Sequence, residues 1–277
     1  MIKRKSPFER ELEKLEKQER AFLDKYSEET DSRINRLLKE KVPDKLQNTL
    51  DNAFAKAFSL ISQKGTGIIE KTYQKEKMEQ NFDVNQYAAE RKNTKKEWTA
   101  FSRQSKGAAN RNLIITSASG IGLGILGIGI PDIILFVGLQ LRSIYEIALQ
   151  YGCTYEEEQE QRFILLLIRG ALSHGTEQKD IDDEINHFID TGAFADKKEM
   201  DLCIAETSSC LSKELLYMKF LQGIPLVGAV GGAFDAIYMK RINRYVELKY
   251  RRRFLYNKRK RNCLEQAESL ADEAVRT

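Results

Sequence analysis

The sequence predicts an all-α protein: a multi-helix bundle around a glycine-rich apolar helical hairpin, with an N-terminal amphipathic helical extension. Three observations lead there. The 277-residue chain holds only four prolines, and outside its centre the good helix formers Lys, Glu, Leu, Ala and Gln dominate. No long stretch alternates polar and apolar residues as a half-buried strand does. From Leu113 through Pro131 to Leu141 the charged sequence gives way to a glycine-rich apolar run. With 42% hydrophobic residues the chain has ample material for a core.

At the N-terminus Phe8, Leu12, Leu15, Phe22, Tyr26, Ile34 and Leu37 recur at steps of three, four or their sums, which describes one amphipathic helix or two. Glu19 and Thr30 interrupt that seam, so packing on the rest of the protein is expected in place of a coiled coil. Pro43 and Asp44 suit the first turn of a helix, and Leu46, Leu50, Phe54, Ala57, Phe58 and Ile61 line one face of it until Gly65. Beyond Gly65-Thr66-Gly67 the sequence is polar to Lys106, carrying Tyr73, Phe82, Tyr87, Trp98 and Phe101. It reads as two further helices with a loop near Asn81 to Asn85.

From Asn112 to Pro131 twenty residues carry no formal charge, and Asp132 is the sole charge before Arg142. A helix of that length spans about 30 Å, the thickness of a bilayer core. Gly120, Gly122, Gly124, Gly127 and Gly129 each weaken such a helix by roughly 1 kcal/mol relative to alanine, so a close-packed neighbour must compensate, as the Gly120 and Gly124 spacing allows. Pro131 ends this arm and opens the next, with Asp132 in its first turn. The second arm places Phe136, Val137, Leu141, Ile144 and Ala148 on one side, with Gln140 and Arg142 entering midway. It is expected to be a buried helix that emerges toward solvent, closed by Tyr151-Gly152. Glu156, Glu157, Glu158 and Glu160 begin the next helix, which continues through Phe163-Ile-Leu-Leu-Leu-Ile168.

Leu211 to Leu221 leads into Gly223-Ile224-Pro225, an echo of Gly129-Ile130-Pro131 that opens a second small-residue run with Gly228, Gly231, Gly232 and then Asp235. The two runs are expected to pack on each other. A basic helix and an acidic, alanine-rich tail finish the chain. The division expected is 1–41 as the extension, 42–262 as the helical domain and 263–277 as a C-terminal helical tail.

Charge is placed unevenly. Lys240, Arg241, Arg244, Lys249, Arg251, Arg252, Arg253, Lys258, Arg259, Lys260 and Arg261 stand against Glu247 alone, a local excess of +10 that leaves about −6 for the rest of a chain of net charge +4. Such a cluster can meet phosphate on an anionic membrane surface; no DNA-binding or RNA-binding motif accompanies it, so a nucleic-acid partner is not expected. The mean hydropathy of −0.49 excludes a polytopic membrane protein. Cys153, Cys203, Cys210 and Cys263 form no C-x-x-C pair, and the N-terminus lacks the apolar core of a signal peptide. A reducing, cytoplasmic setting is expected.

Three patterns invite chemistry. Gly122-x-Gly124-x-x-Gly127 matches a dinucleotide fingerprint in letters but has no strand before it and no β-α alternation after it. Ala171-Leu-Ser173-His174-Gly175 has the shape of a nucleophile elbow, with Ser173 as nucleophile and His187 as the base, yet a helix ending at Gly175 explains the same letters. Glu184 and His187, beside Asp182, Asp183 and Asp190, have the i, i+3 spacing of carboxylate-bridged metal bundles, which need the motif on two helices. A solvated acidic helix is expected there. No catalytic residue, metal or cofactor is assigned.

At Gly129-Ile130-Pro131-Asp132, followed by Gln140-Leu141-Arg142, Ile147-Ala148 and Tyr151-Gly152, the sequence resembles the EcsC family. The agreement extends to Val42-Pro43 with Lys45-Leu46, to Glu160 with Arg162-Phe163-Ile164-Leu165, and to Ile224-Pro225 with Gly228-Ala229 and Gly231-Gly232-Ala233. The resemblance implies an all-helical cytoplasmic protein without established catalytic residues, in a family named for a gene beside an ABC-transporter ATPase and its membrane subunit. Asp132, Arg142, Tyr151 and Asp235 are the polar residues at its motif positions.

The functional expectation is a membrane-associating protein, peripheral at the inner face of the cytoplasmic membrane and accessory to a transport or envelope process. Its hairpin, marked by Gly120, Gly124, Gly129, Pro131, Gly223, Pro225, Gly228 and Gly232, meets the bilayer while the basic helix meets headgroups. Expected partners are the anionic surface, a membrane-protein or transporter partner, and a second copy. The alternatives are a soluble adaptor that binds a protein partner and, further off, a lipid hydrolase using Ser173.

Overall fold

A computed structural model of the chain describes residues 5–27, 42–64, 74–92, 94, 96, 98, 130–221 and 232–275. They form eight helices with no strand among them: α1 (Pro7–Lys25), α2 (Asp44–Lys64), α3 (Lys75–Lys92), α4 (Ile130–Gln150), α5 (Glu158–Leu172), α6 (Gly175–Thr191), α7 (Met200–Leu221) and α8 (Gly232–Val275). The fold is all-α, as composition and periodicity predict.

Helix starts and stops follow local chemistry. Ser6 Oγ accepts from the Glu9 amide at 3.1 Å while Glu9 Oε2 accepts from the Ser6 amide at 2.6 Å, a reciprocal cap, and Pro7 fills the first turn of α1. Helix α4 ends at Gly152, whose φ of 71° lets the Cys153 amide turn back to the Ala148 carbonyl at 3.0 Å. A Cβ on Gly152 would also stand 2.5 Å from the Phe82 ring. Helix α3 runs unbroken through the expected loop at Asn81 to Asn85. Asn85 Nδ2 donates to the Asn81 carbonyl at 2.6 Å, so the amide side chain serves the helix, and buried Ala89 and half-buried Phe82 hold it on the core. The low helix propensity of asparagine, a few tenths of a kcal/mol, is too small to oppose that packing.

Helix α5 is the centre of one half of the bundle: Phe163 to Ile168 are all buried, because α6, α7 and α8 pack around it. Helix α4 is the centre of the other half, between α2, α3 and α8. The face expected on α4 is the one observed, with Phe136, Val137, Leu141, Ile144 and Ala148 all buried. Its depth profile is the reverse of the expectation. Leu135, near the start, is 41% exposed, whereas residues 143–151 are all buried. The window Ile133–Gln150 is long and apolar enough to cross a membrane, and 72% of it is buried within the protein, which is the pattern of a core helix.

Helix α7 meets α2 and α5 through small polar residues. Thr207, Ser208 and Ser212 are fully buried, and each hydroxyl returns to the carbonyl four residues back, at Cys203, Ile204 and Ser208. Satisfied in this way, they let the helices approach closely. Helix α8, at 44 residues about 66 Å long, touches both halves. It continues without a break past 263, so the residues set apart as a tail prolong the same helix.

Candidate functional site

Helices α4 and α8 run parallel. Gln140 Nε2 donates to Asn243 Oδ1 at 3.0 Å, and the Tyr151 and Phe254 rings lie 6.3 Å apart; both pairs are separated by the same interval in sequence, which only a parallel register produces. Ile130 and Gly232 therefore begin at the same end of the bundle. Helix α5 runs against α8, with Glu160 at Arg253 and the Leu172 and Ser173 carbonyls at Arg241, and α7 runs along α5, Met200 lying near Gln161 and Glu214 near Ser173. Helix α7 is therefore antiparallel to α8, and beyond the bond from the Tyr238 hydroxyl to Glu214 at 2.9 Å its last residue, Leu221, arrives at that end as well. At this pole the chain passes from the uncharged run 112–129 into α4, and from α7 through the uncharged run 222–231 into α8. Two of the few large exposed apolar side chains among the described residues sit beside it, Leu135 on α4 and Ile237 at 50% exposure on α8, with exposed Lys240 and partly exposed Arg244 one and two turns on.

Of the hairpin residues, Pro131 lies in the first turn of α4 and Gly232 is the first residue of α8; Gly120, Gly124, Gly129, Gly223, Pro225 and Gly228 lie outside the described residues, as do the side chains of Asp132 and Asp235. Arg142 pairs with Glu146 one turn along at 3.0 Å. Tyr151 is buried against Phe254. These two motif residues sit within the bundle and away from the pole.

The eleven cations of α8 do not make one face. A helix turns about 100° per residue, so cations spread from 240 to 261 point all round it, and several meet carboxylates of neighbouring helices. Lys249, 1% exposed, contacts Asp182 at 2.7 Å and Glu19 at 3.3 Å. Buried Arg251 pairs with Glu11, Arg252 with Glu19 at 2.9 Å, Arg253 with Glu160 at 2.6 Å and Lys258 with Glu90 at 3.0 Å. Arg244 pairs with Glu247 on its own helix. Arg241 is buried at the end of α5, where its guanidinium donates to the Leu172 and Ser173 carbonyls at 3.1 Å each. Lys240, Arg259, Lys260 and Arg261 are exposed, Lys260 reaching the Asp190 carbonyl and Arg261 lying 3.8 Å from Glu90. Of the eleven cations expected to form one surface, these four and part of Arg244 are left open to solvent.

A signal for this pairing stood in the sequence. Glu11 and Glu19 share the stripe of Leu15 and Phe22 on α1, and all four are buried. Glu19, expected to interrupt the seam, is a member of it. Asp182, expected on a solvated acidic face, is 5% exposed and holds Lys249 and the Tyr245 hydroxyl, the latter at 2.6 Å. Burial first, and then the Asp182 carboxylate, push the Tyr245 phenol well above its usual range.

The family of the chain is settled by comparison. A model described as the EcsC protein family matches residues 8–255. The chain belongs to the EcsC protein family. No curated protein and no solved structure matches it. The EcsC match begins inside α1, so the helix set apart as an extension lies within the family's span, in keeping with its buried ion pairs to α8. Motif residues of this EcsC chain hold joints of the bundle: Gln140 ties α4 to α8, Glu160 accepts from Tyr250 and Arg253 of α8, and Arg162 joins α5 to Glu184 and Asp196.

Ser173 of the EcsC chain follows one helix and precedes another, so the strand-turn-helix geometry of a nucleophile elbow is not formed there. Its hydroxyl is buried without a hydrogen-bond partner among the described residues. His187 is exposed on α6, and no hydrogen bond among the described residues joins the two. A cleft of about 550 Å³ opens beside Ser173, lined by Arg169, His174, Glu206, Lys213 and Glu214 among others and not by His187; in it Glu206 is held by Arg169 and Lys198, while Glu214 lies beside His174 and Arg241. Burial lowers the Arg241 pKa, with Glu214 opposing. Among the described residues no group of three or more His, Cys, Asp or Glu is placed to hold a metal ion.

Proposed function

We propose that this EcsC chain associates with membranes through the pole where α4 and α8 begin. The parallel register of those helices carries the reading, because it attaches both uncharged glycine-rich runs to one end of the bundle. Around that end Leu135 and Ile237 offer apolar contact with lipid, and Lys240 and Arg244 stand where anionic headgroups would lie. Each basic residue near such a surface contributes about 1 kcal/mol, so Lys240, with a smaller share from Arg244 beside Glu247 and inserted apolar surface, gives reversible, peripheral binding. The core burial of α4 supports attachment by the pole in place of a span through the body of the protein. In this reading the protein works at the inner face of the cytoplasmic membrane, accessory to a membrane process.

Flotation of the full chain with anionic and neutral liposomes tests it. The wild type is expected to float with anionic vesicles, Leu135→Glu/Ile237→Glu to lose most of that binding, and Lys240→Glu to lose preference for the anionic ones. A soluble chain that floats with neither vesicle, or variants that float as the wild type does, would refute the reading.

A further inference from the structure

Helix α1 has α8 as its main packing partner among the described helices, and the two run antiparallel. Glu11 meets Arg251, Glu19 meets Arg252 and Lys249, Phe22 meets Tyr245 with ring centroids 5.0 Å apart, and the Tyr26 ring lies 3.8 Å from the Arg241 guanidinium. Gln18 and Glu16 add bonds from Arg251 at 3.2 Å and from the Tyr256 hydroxyl at 3.4 Å. Two of the four side chains that α1 buries are carboxylates, beside Leu15 and Phe22.

A helix that is a permanent part of a core gains as much or more from apolar residues at such positions, because desolvation of the ions offsets their attraction. This seam is also incompletely satisfied: Arg252 Nε is buried without a hydrogen-bond partner among the described residues, and Glu19 Oε1 makes no hydrogen bond there beyond its 3.3 Å ion pair with Lys249. The start of α1, by contrast, is made within itself by the Ser6 and Glu9 cap and Pro7, so its helical start does not depend on α8.

We propose that α1 is a displaceable latch on a helix-docking groove of α8, and that the groove's other occupant is an acidic amphipathic helix of a partner protein. Charge complementarity selects the occupant. The groove presents Lys249, Arg251 and Arg252 between Tyr245 and Tyr256, and α1 fills it with carboxylates eight residues apart, an apolar residue midway and another three residues beyond the second. A partner helix with that pattern meets the same groups. Arg251 lies nineteen residues along α8 from Gly232, about 28 Å away, so the groove remains accessible with the pole on a membrane, and the inference stands without the membrane reading.

The test uses the full chain and, as probe, a fluorescent synthetic peptide of residues 5–27. Glu11→Arg/Glu19→Arg, which sets like charges against α8, is expected to bind the peptide at least tenfold more tightly than the wild type does. Adding Arg251→Glu/Arg252→Glu to that variant abolishes the binding. Equal binding by variant and wild type, or binding by neither, would overturn the proposal. Hydrogen exchange on the unaltered protein gives a second measure: α1 amides are expected to exchange faster than those of α5, and equal protection would show that α1 is not displaceable. Dimerisation of the wild type that rises with concentration and is abolished by the peptide would overturn the choice of occupant in favour of a second copy.

Discussion

Replacing Lys249 by methionine keeps the length and the apolar stem of the side chain and removes only its charge and donors. The ammonium it removes is 1% exposed and stands within 2.7 Å of Asp182, 3.3 Å of Glu19 and 3.0 Å of the Asn186 side-chain oxygen. Breaking a buried pair from one side costs about 3–5 kcal/mol, because the carboxylates stay behind without their counter-charge. Here the lower end applies. Asp182 keeps the Tyr245 hydroxyl and the Asn186 amide at 2.8 Å, and Glu19 keeps Arg252. A chain of this length has an unfolding entropy of about 0.6 kcal/mol per kelvin near the midpoint, so about 3 kcal/mol lowers Tm by about 5 °C. Urea unfolding followed by helical circular dichroism measures the loss, and it should be nearly the same at about 0.1 M and 1 M salt, since buried pairs are screened little. Adding Asp182→Asn should return part of it. A loss below about 1 kcal/mol, or one that vanishes in high salt, would refute the account of α8 as a helix whose cations are spent on internal carboxylates.

Gly152→Ala is expected to destabilise by about 1 kcal/mol for the left-handed backbone and by more for the contact with the Phe82 ring; the same urea assay checks it, and Phe82→Ala in the same chain should relieve the second part. Gln140→Leu alone should cost about 1–3 kcal/mol by leaving Asn243 buried without its partner, whereas Gln140→Leu/Asn243→Leu should recover most of the loss. Burial and the Asp182 and Glu160 carboxylates raise the Tyr245 and Tyr250 phenols well above 10, the ordinary value that they regain on unfolding. Their contribution to stability is therefore complete below pH 10 and falls as pH rises beyond it, because the unfolded chain releases protons that the folded chain retains. Tyrosinate absorbance from these two rings should appear together with loss of helix. Burial pushes the Cys153 and Cys210 thiols up to about 12, and Cys203 is buried while Cys263 is exposed; a thiol reagent at mild pH should label Cys263 quickly and the other three only on unfolding.

The helical class, the face of α2, the buried side of α4 and the stop at Gly152 were legible in the sequence, because each depends on residues within a turn or two of one another. Periodicity of apolar residues states which side of a helix is buried, and glycine after a helix states where it ends. The EcsC resemblance was likewise carried by short stretches, and the match over residues 8–255 agrees with it.

Charge was the part that one-dimensional reading misplaced. A run of eleven cations looks like a surface when its counter-charges lie far off in the sequence: Glu11 and Glu19 some 240 residues before Arg251 and Arg252, and Glu160 some 90 before Arg253. Desolvation makes a buried ion tolerable only with a partner at hand, and the partner is supplied by which helices pack together. The direction of α4 relative to α8 is of the same kind. The sequence by itself determined two uncharged glycine-rich runs and a helix after each; the tertiary structure decided that both helices start at one pole, because the buried Gln140–Asn243 bond and the Tyr151–Phe254 ring contact can both be made only in a parallel register.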